Sequence, residues 1–217
     1  MRFVLIILLA LWAPSAYADP PFPAVTVESD SGYNCHGLTF TGGREVVDQH
    51  AVPGESEVDN VGKIIRDQYH SVDSGQAQLG DIVVYDGPNS PSHTGLVVGR
   101  DGQGNLVILS KDGDRGDLKI HEVNDYKNGT TDQDWCIYRR NGETSLDPAA
   151  AAKARELLRA LGFQNWDIVR RRSLELKRLL SSPHCQAELS RLERGALQDT
   201  ENVLYSPGII DAADCGH

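Results

Sequence analysis

The stretch DIVVYDGPNSPSHTGLVVG, residues 81–99, contains two short β-rich runs separated by a polar link of turn-forming residues. Runs of this kind, bounded by Gly, Pro, Asn and Asp, are typical of strands. Further β-rich runs follow after a glycine-rich hairpin connection: NLVILS (105–110), DLKIHEV (117–123) and WCIYRR (135–140). Because the links between them are short, the runs predict an antiparallel sheet.

Helical patterns flank the predicted strands. Before them, Val58, Val61, Ile65 and Tyr69 recur at helical spacing, which predicts a short helix with one apolar face. After them the composition changes near Asp147-Pro148, a predicted N-cap and first helical position. Three helices are predicted beyond this point, over about Ala149–Leu161, Asp167–Leu180 and Gln186–Leu197. The sequence therefore predicts an α+β fold with a small helical appendage at the C terminus.

The first 18 residues have the pattern of a secretory signal peptide. Arg2 precedes an apolar run over Phe3–Ala13, and the small-residue pattern Ala16-Tyr17-Ala18 predicts cleavage after Ala18. The run is shorter than the roughly 20 residues of a membrane span, and no later stretch approaches that length. We expect a secreted or periplasmic protein, with residues 1–18 removed, a main domain over 19–146 and the appendage over 147–217.

Charge and motif content exclude several function classes. A net charge of -10 disfavours nucleic-acid binding, which needs clustered Lys and Arg. The sequence has no Cys-x-x-Cys, no His-Glu-x-x-His and no glycine-rich phosphate loop, so we expect neither a metal nor another cofactor. The run DGDRGD (112–117) resembles part of a calcium loop. It lacks the glycine and the acid that such loops need at positions six and twelve, so we predict a polar turn.

The chain contains four cysteines: Cys35, Cys136, Cys185 and Cys215. An even number in an exported protein favours disulfides. We expect Cys185 to pair with Cys215 around the last helix, and Cys136, in the middle of a strand, to be a buried thiol. Three states are open for Cys35: a half-cystine, an inert buried thiol, or a nucleophile.

Cys35 lies in YNCHGLTF (33–40), between a polar loop and a predicted helix. The unpaired N–H groups and the positive dipole end of a helix start favour a thiolate, and they can also stabilise an oxyanion. A cysteine nucleophile needs a base close by in space. His93 is the strongest candidate, because it opens the predicted strand HTGLVVG behind a polar link. His121, in KIHEV, is its main competitor.

Three blocks, NCHGL, GDIVVYDG and SHTGLVVG, occur in an order that resembles the NlpC-type cell-wall cysteine peptidases. The related CHAP amidases share this layout. The resemblance covers roughly Gly32–Arg140 and implies a papain-like domain whose Cys-bearing helix packs on an antiparallel sheet. It also implies Cys35 as nucleophile, His93 as general base and an amide bond in peptidoglycan stem peptides as substrate. No cofactor is needed.

The sequence departs from the family pattern at three points. Asn34 replaces the aspartate before the cysteine, and His36 replaces a serine. The third polar residue, which orients the imidazole, falls on Ser110 by position, with Asp112 as an alternative. These departures keep a second function open, a catalytically silent domain that binds cell-wall peptide or, through the C-terminal helices, a protein partner. A third function, transfer of the acyl group to an amine, would use the same residues as hydrolysis.

Overall fold

A computed structural model describes residues 22–29, 32–126, 134–142 and 148–180, without the side chains of Glu55 and Ser56. The predicted signal peptide and the predicted helix over 186–197 lie outside these residues, as do Asp147, Cys185 and Cys215.

The central feature of the fold is a seven-stranded antiparallel sheet. Its strands are β1 (Val25–Glu28), β4 (Tyr69–Val72), β5 (Ile82–Tyr85), β6 (His93–Arg100), β7 (Leu106–Lys111), β8 (Leu118–Glu122) and β9 (Trp135–Arg140). They lie in the order β1-β8-β7-β6-β5-β9-β4, so β6 is the middle strand. Strands β2 (Ala51–Val52) and β3 (Glu55–Asp59) form a separate hairpin. The predicted α+β class and antiparallel sheet are confirmed.

Four α-helices accompany the sheet in the described part of the chain. They are α1 (Cys35–Thr41), α2 (Asn60–Gln68), α3 (Pro148–Gly162) and α4 (Trp166–Leu180). The predicted helices over 149–161 and 167–180 thus begin and end within one residue of α3 and α4. None of these helices has the length and apolar character that crossing a bilayer requires.

Helices α3 and α4 belong to the same hydrophobic core as the sheet. Leu157 of α3 and Leu176 of α4 are fully buried in a cluster that also contains Val25 of β1 and Leu96 of β6. At the surface, Lys177 of α4 forms an ion pair with Glu28 at 3.0 Å. The sequence predicts a helical appendage in this region. In the structure, its two described helices form part of the layer that covers one face of the sheet.

The middle strand presents alternate residues to two different cores. Leu96 and Val98 of β6 belong to the large cluster beneath the helices, whereas Val97 belongs to a smaller cluster on the opposite face. Successive side chains of a strand point to opposite faces. Thr94 therefore faces α1, and His93 faces away from it.

Helix α1 approaches its following loop closely at Gly37. A Cβ atom on this residue would lie 2.0 Å from the carbonyl oxygen of Glu45, well inside van der Waals contact. Because that neighbour is backbone, a side chain could not be accommodated by rotation alone. Gly37 thus lets the loop after α1 fold back beside the start of the helix.

A buried ion pair joins β5 to β9. Asp81 is 4% exposed and accepts hydrogen bonds at 2.8 Å from both Nε and one terminal nitrogen of Arg139. It also accepts one from the backbone N–H of Gln78 at 2.7 Å. The Gly-Asp pair ahead of β5 therefore has a structural role in this chain.

Replacing Asp81 by Ala should lower the free energy of unfolding by about 2–3 kcal/mol, because it leaves a half-buried guanidinium and a backbone N–H without their acceptor. Urea denaturation measures this change. Asp67→Ala is the control, since it removes only an exposed pair with Arg66 and should have little effect. Equal denaturation midpoints for the two variants would contradict the structural role of Asp81.

Candidate active site

Asn34 fixes the start of α1 and the loop beside it. Its Oδ1 accepts hydrogen bonds from the N–H of Gly37 at 2.7 Å and of Val47 at 3.2 Å, and its Nδ2 donates to the Val47 carbonyl at 2.8 Å. The first bond is an N-cap, which an aspartate would also supply. An aspartate has no donor for the Val47 carbonyl. Asn34 therefore ties the loop to the helix start through both the N–H and the carbonyl of Val47.

Cys35 is the first residue of α1, free and 5% exposed. Burial raises the pKa of its thiol, although hydrogen bonds from the backbone N–H groups of Thr94, His36 and Cys35 itself act in the opposite direction. The charge of Asp112 raises this pKa further. The sequence predicts that the helix start favours a thiolate. The backbone N–H groups act in that direction, but desolvation outweighs them and raises the pKa of the thiol.

The sulfur of Cys35 lies against the first residues of β6, because the N–H of Thr94 is within its hydrogen-bonding reach. The residue before Thr94 is His93, which is 1% exposed. Its Nε2 has no hydrogen-bond partner among the described residues. Burial lowers the pKa of His93 well below its ordinary value, and nearby His121 and His36 lower it further. The predicted base is thus a neutral, buried imidazole at the strand end that the cysteine contacts.

Ser110, predicted to orient His93, instead bonds to His121. Ser110 Oγ lies 2.7 Å from His121 Nε2, and His121 Nδ1 lies 2.7 Å from the carbonyl oxygen of Glu122. Because a carbonyl only accepts, Nδ1 must carry the proton, and the neutral ring accepts the Ser110 hydroxyl at Nε2. The structure therefore joins Ser110 to the histidine that competed with His93, on the same face of the sheet.

Gly95 of β6 packs tightly against Ser110 and Ile108 of β7. It lies opposite Ser110 in the register of β6 and β7, and a Cβ atom on it would be 2.6 Å from Cγ2 of Ile108. The glycine of the His-x-Gly block thus allows β7 to lie close beside His93.

Behind Cys35 lies a polar chain that the sequence interpretation missed. His36 Nδ1 is 3.0 Å from Thr94 Oγ1, which is itself 3.0 Å from Thr39 Oγ1. The His36 ring also hydrogen-bonds the Gln49 side chain, which donates to Asp59 at 2.8 Å. Burial lowers the pKa of His36 to about 4. The signal available in the sequence was a histidine and a threonine three residues apart, on one face of the predicted helix.

The DGDRGD turn encloses a lysine ammonium group. Lys111 is fully buried, and its Nζ donates to the carbonyls of Gly113 at 3.1 Å, Asp114 at 3.2 Å and Gly116 at 2.6 Å. A cation held by backbone oxygens is the arrangement that the calcium-loop resemblance suggests, but the cation belongs to the chain. Across the described ranges, no three or more His, Cys, Asp or Glu side chains are grouped to hold a metal ion.

The cysteine assignments need correction. Cys136 is disulfide-bonded, so the prediction of a buried thiol is wrong. Its partner lies outside the described residues. The predicted Cys185–Cys215 pair lies outside the described residues.

Comparison of the chain with protein-family models, with curated proteins and with solved structures found no match.

Because three histidines are buried, we expect acid to destabilise the fold. Burial lowers the folded-state pKa values of His36, His93 and His121, so below pH 6.5 the unfolded chain binds more protons. The free energy of unfolding should be fully retained above about pH 7. It should fall between about pH 6.5 and 5, by at most about 1.4 kcal/mol per pH unit and histidine.

Urea denaturation across this pH range measures the effect. His36→Gln should make the pH dependence shallower, whereas His50→Gln, at an exposed position, should leave it unchanged. Stability that stays constant or rises on acidification would contradict the prediction.

Proposed function

We propose that the protein is an exported cysteine hydrolase of the NlpC type, with a papain-like domain that cleaves an amide bond in peptidoglycan stem peptides. One observation carries the proposal: the sulfur of a free cysteine at a helix start lies against the strand end that carries a buried histidine with an unpartnered Nε2. A nucleophile and a base in neighbouring positions are the minimum for acyl transfer through a thioester.

The order of elements supports the papain-like assignment. The Cys-bearing helix α1 precedes six of the seven strands of the sheet and packs on β6, whose first residue is His93. The peptidoglycan substrate and the secreted or periplasmic location rest on the sequence resemblance and on the signal-peptide pattern of residues 1–18.

The proposed mechanism begins from neutral groups. Burial raises the pKa of Cys35 and lowers that of His93, which favours the neutral thiol and the neutral imidazole before the reaction. In the proposed mechanism the proton therefore passes from sulfur to the imidazole only as the sulfur attacks the amide carbonyl. The N–H groups of Cys35 and His36 can then stabilise the oxyanion. The imidazolium of His93 protonates the leaving amine, and water, deprotonated by His93, hydrolyses the thioester.

Replacing Cys35 by Ala should abolish release of peptides from purified cell-wall fragments, because it removes the sulfur that forms the acyl-enzyme. His93→Ala should reduce the rate at least about a hundredfold, since it removes the general base. Mass spectrometry of the released fragments measures both. His70→Ala, an exposed histidine on β4, is the matched control. Undiminished hydrolysis by a folded Cys35→Ala variant would refute the assignment.

A second function, a catalytically silent domain that binds cell-wall peptide or a protein partner, is favoured by the raised pKa of Cys35 and by the engagement of Ser110 with His121. Calorimetric titration with stem peptides separates the two proposals. Binding that persists in Cys35→Ala, with no turnover by the unaltered chain, would favour the silent domain.

Acyl transfer is tested by adding an amine to the reaction. A product in which the acyl group is joined to that amine would indicate transfer instead of hydrolysis.

A further inference from the structure

The ring of His93 lies face to face with that of Tyr126. Their centroids are 3.7 Å apart and their planes differ by 8°. Tyr85 contacts both rings, at 5.4 Å from His93 and 5.0 Å from Tyr126. No hydrogen bond from Ser110 reaches His93 in the described part of the chain, because Ser110 bonds to His121. The stack on Tyr126 is the closer of the two ring contacts of this imidazole.

Two hydrogen bonds hold the segment that delivers Tyr126. The 3₁₀ turn Val123–Asp125 follows β8 directly. The hydroxyl of Tyr85 donates to the Val123 carbonyl at 2.9 Å, and Nε1 of Trp135 donates to the side chain of Asn124 at 2.9 Å. Strands β5 and β9 thus both fix the turn, which brings Tyr126 over His93 and restricts how far its ring can move.

We propose that Tyr126 is the positioning residue of His93, taking by ring stacking the part that a hydrogen-bonded third side chain takes in the related peptidases. This inference rests on the proposed function. The stack fixes the plane of the imidazole. It also places the π-face of a phenol directly beneath the positive charge that forms when His93 accepts the Cys35 proton.

The proton balance of the step is simple. The S–H bond of Cys35 breaks, an N–H bond forms on His93, and the electron pair of the S–H bond remains on sulfur. The resulting imidazolium is buried, so water cannot solvate it. An aromatic face stabilises such a cation, and does so more strongly when the pair is desolvated. Removing the face should therefore make the thiolate–imidazolium pair rarer at any given pH.

Other titratable groups also face this pair and must be held constant in a test. They are His36 on α1, Tyr85 on β5, Asp112 after β7 and His121 on β8. Substitutions restricted to position 126 leave all of them in place.

The test is the rate of Cys35 alkylation by iodoacetamide against pH, in the full exported chain. Tyr126→Phe keeps the aromatic face and should react within about twofold of the unaltered protein. Tyr126→Leu should react about tenfold more slowly near pH 7, with the profile displaced toward alkaline pH. Equal profiles for the Phe and Leu variants, with both folded, would overturn the inference.

A second series keeps the shape of the ring and covers the case in which Tyr126→Leu does not fold. Phenylalanines of increasing fluorination at position 126 progressively weaken the negative face without removing the stack. The alkylation rate should fall stepwise along this series, whereas a merely structural tyrosine would give a constant rate.

Alkylation separates this inference from the proposed function, because it needs no amide substrate. A fluorination-dependent rate without any hydrolysis would retain the role of Tyr126 and refute the hydrolase. Hydrolysis by the unaltered chain, with alkylation profiles that ignore fluorination, would refute the role of Tyr126 alone.

Discussion

The middle strand β6 sets the relation between the two halves of the candidate site. Because side chains alternate along a strand, adjacent residues at its start must serve opposite faces of the sheet. Thr94 turns toward α1 and joins the polar chain around His36, while His93 turns toward Tyr85 and Tyr126. The sulfur of Cys35 meets this strand at its backbone, between the two faces. A shift of register in β6 by one residue would exchange the two side chains between the faces of the sheet.

Burial of polar groups gives the site its electrostatic character. Cys35, His36, His93 and His121 are all nearly inaccessible, and for each of them burial is the largest cause of the altered pKa. The neutral forms of these four groups are therefore favoured. Fixed groups then matter more than they would in water, because hydrogen bonds and π-faces act at low local dielectric.

The sequence predicts the helices and strands of this structure better than the pairing and contacts between them. Alternating and helical patterns are local, and they place α3, α4 and most strands correctly. The insertion of β9 between β5 and β4 depends on pairing across distant segments, which no local pattern records. The contact of Ser110 with His121 depends in the same way on the register of β7 and β8. Tyr126 is a single aromatic residue in a polar link, so its stacking on His93 could be found only from the fold.

The lysine enclosed by the DGDRGD turn has a consequence for how that turn can be controlled. Where carbonyl oxygens hold a dissolved ion, the occupancy of the turn follows the concentration of that ion in the surroundings. Here the positive charge is attached to β7 through the Lys111 side chain, and the ring of Tyr33 lies 5.3 Å from its Nζ. Filling the turn and folding the chain are therefore one event. Occupation of this turn by Lys111 therefore does not depend on the concentration of dissolved cations.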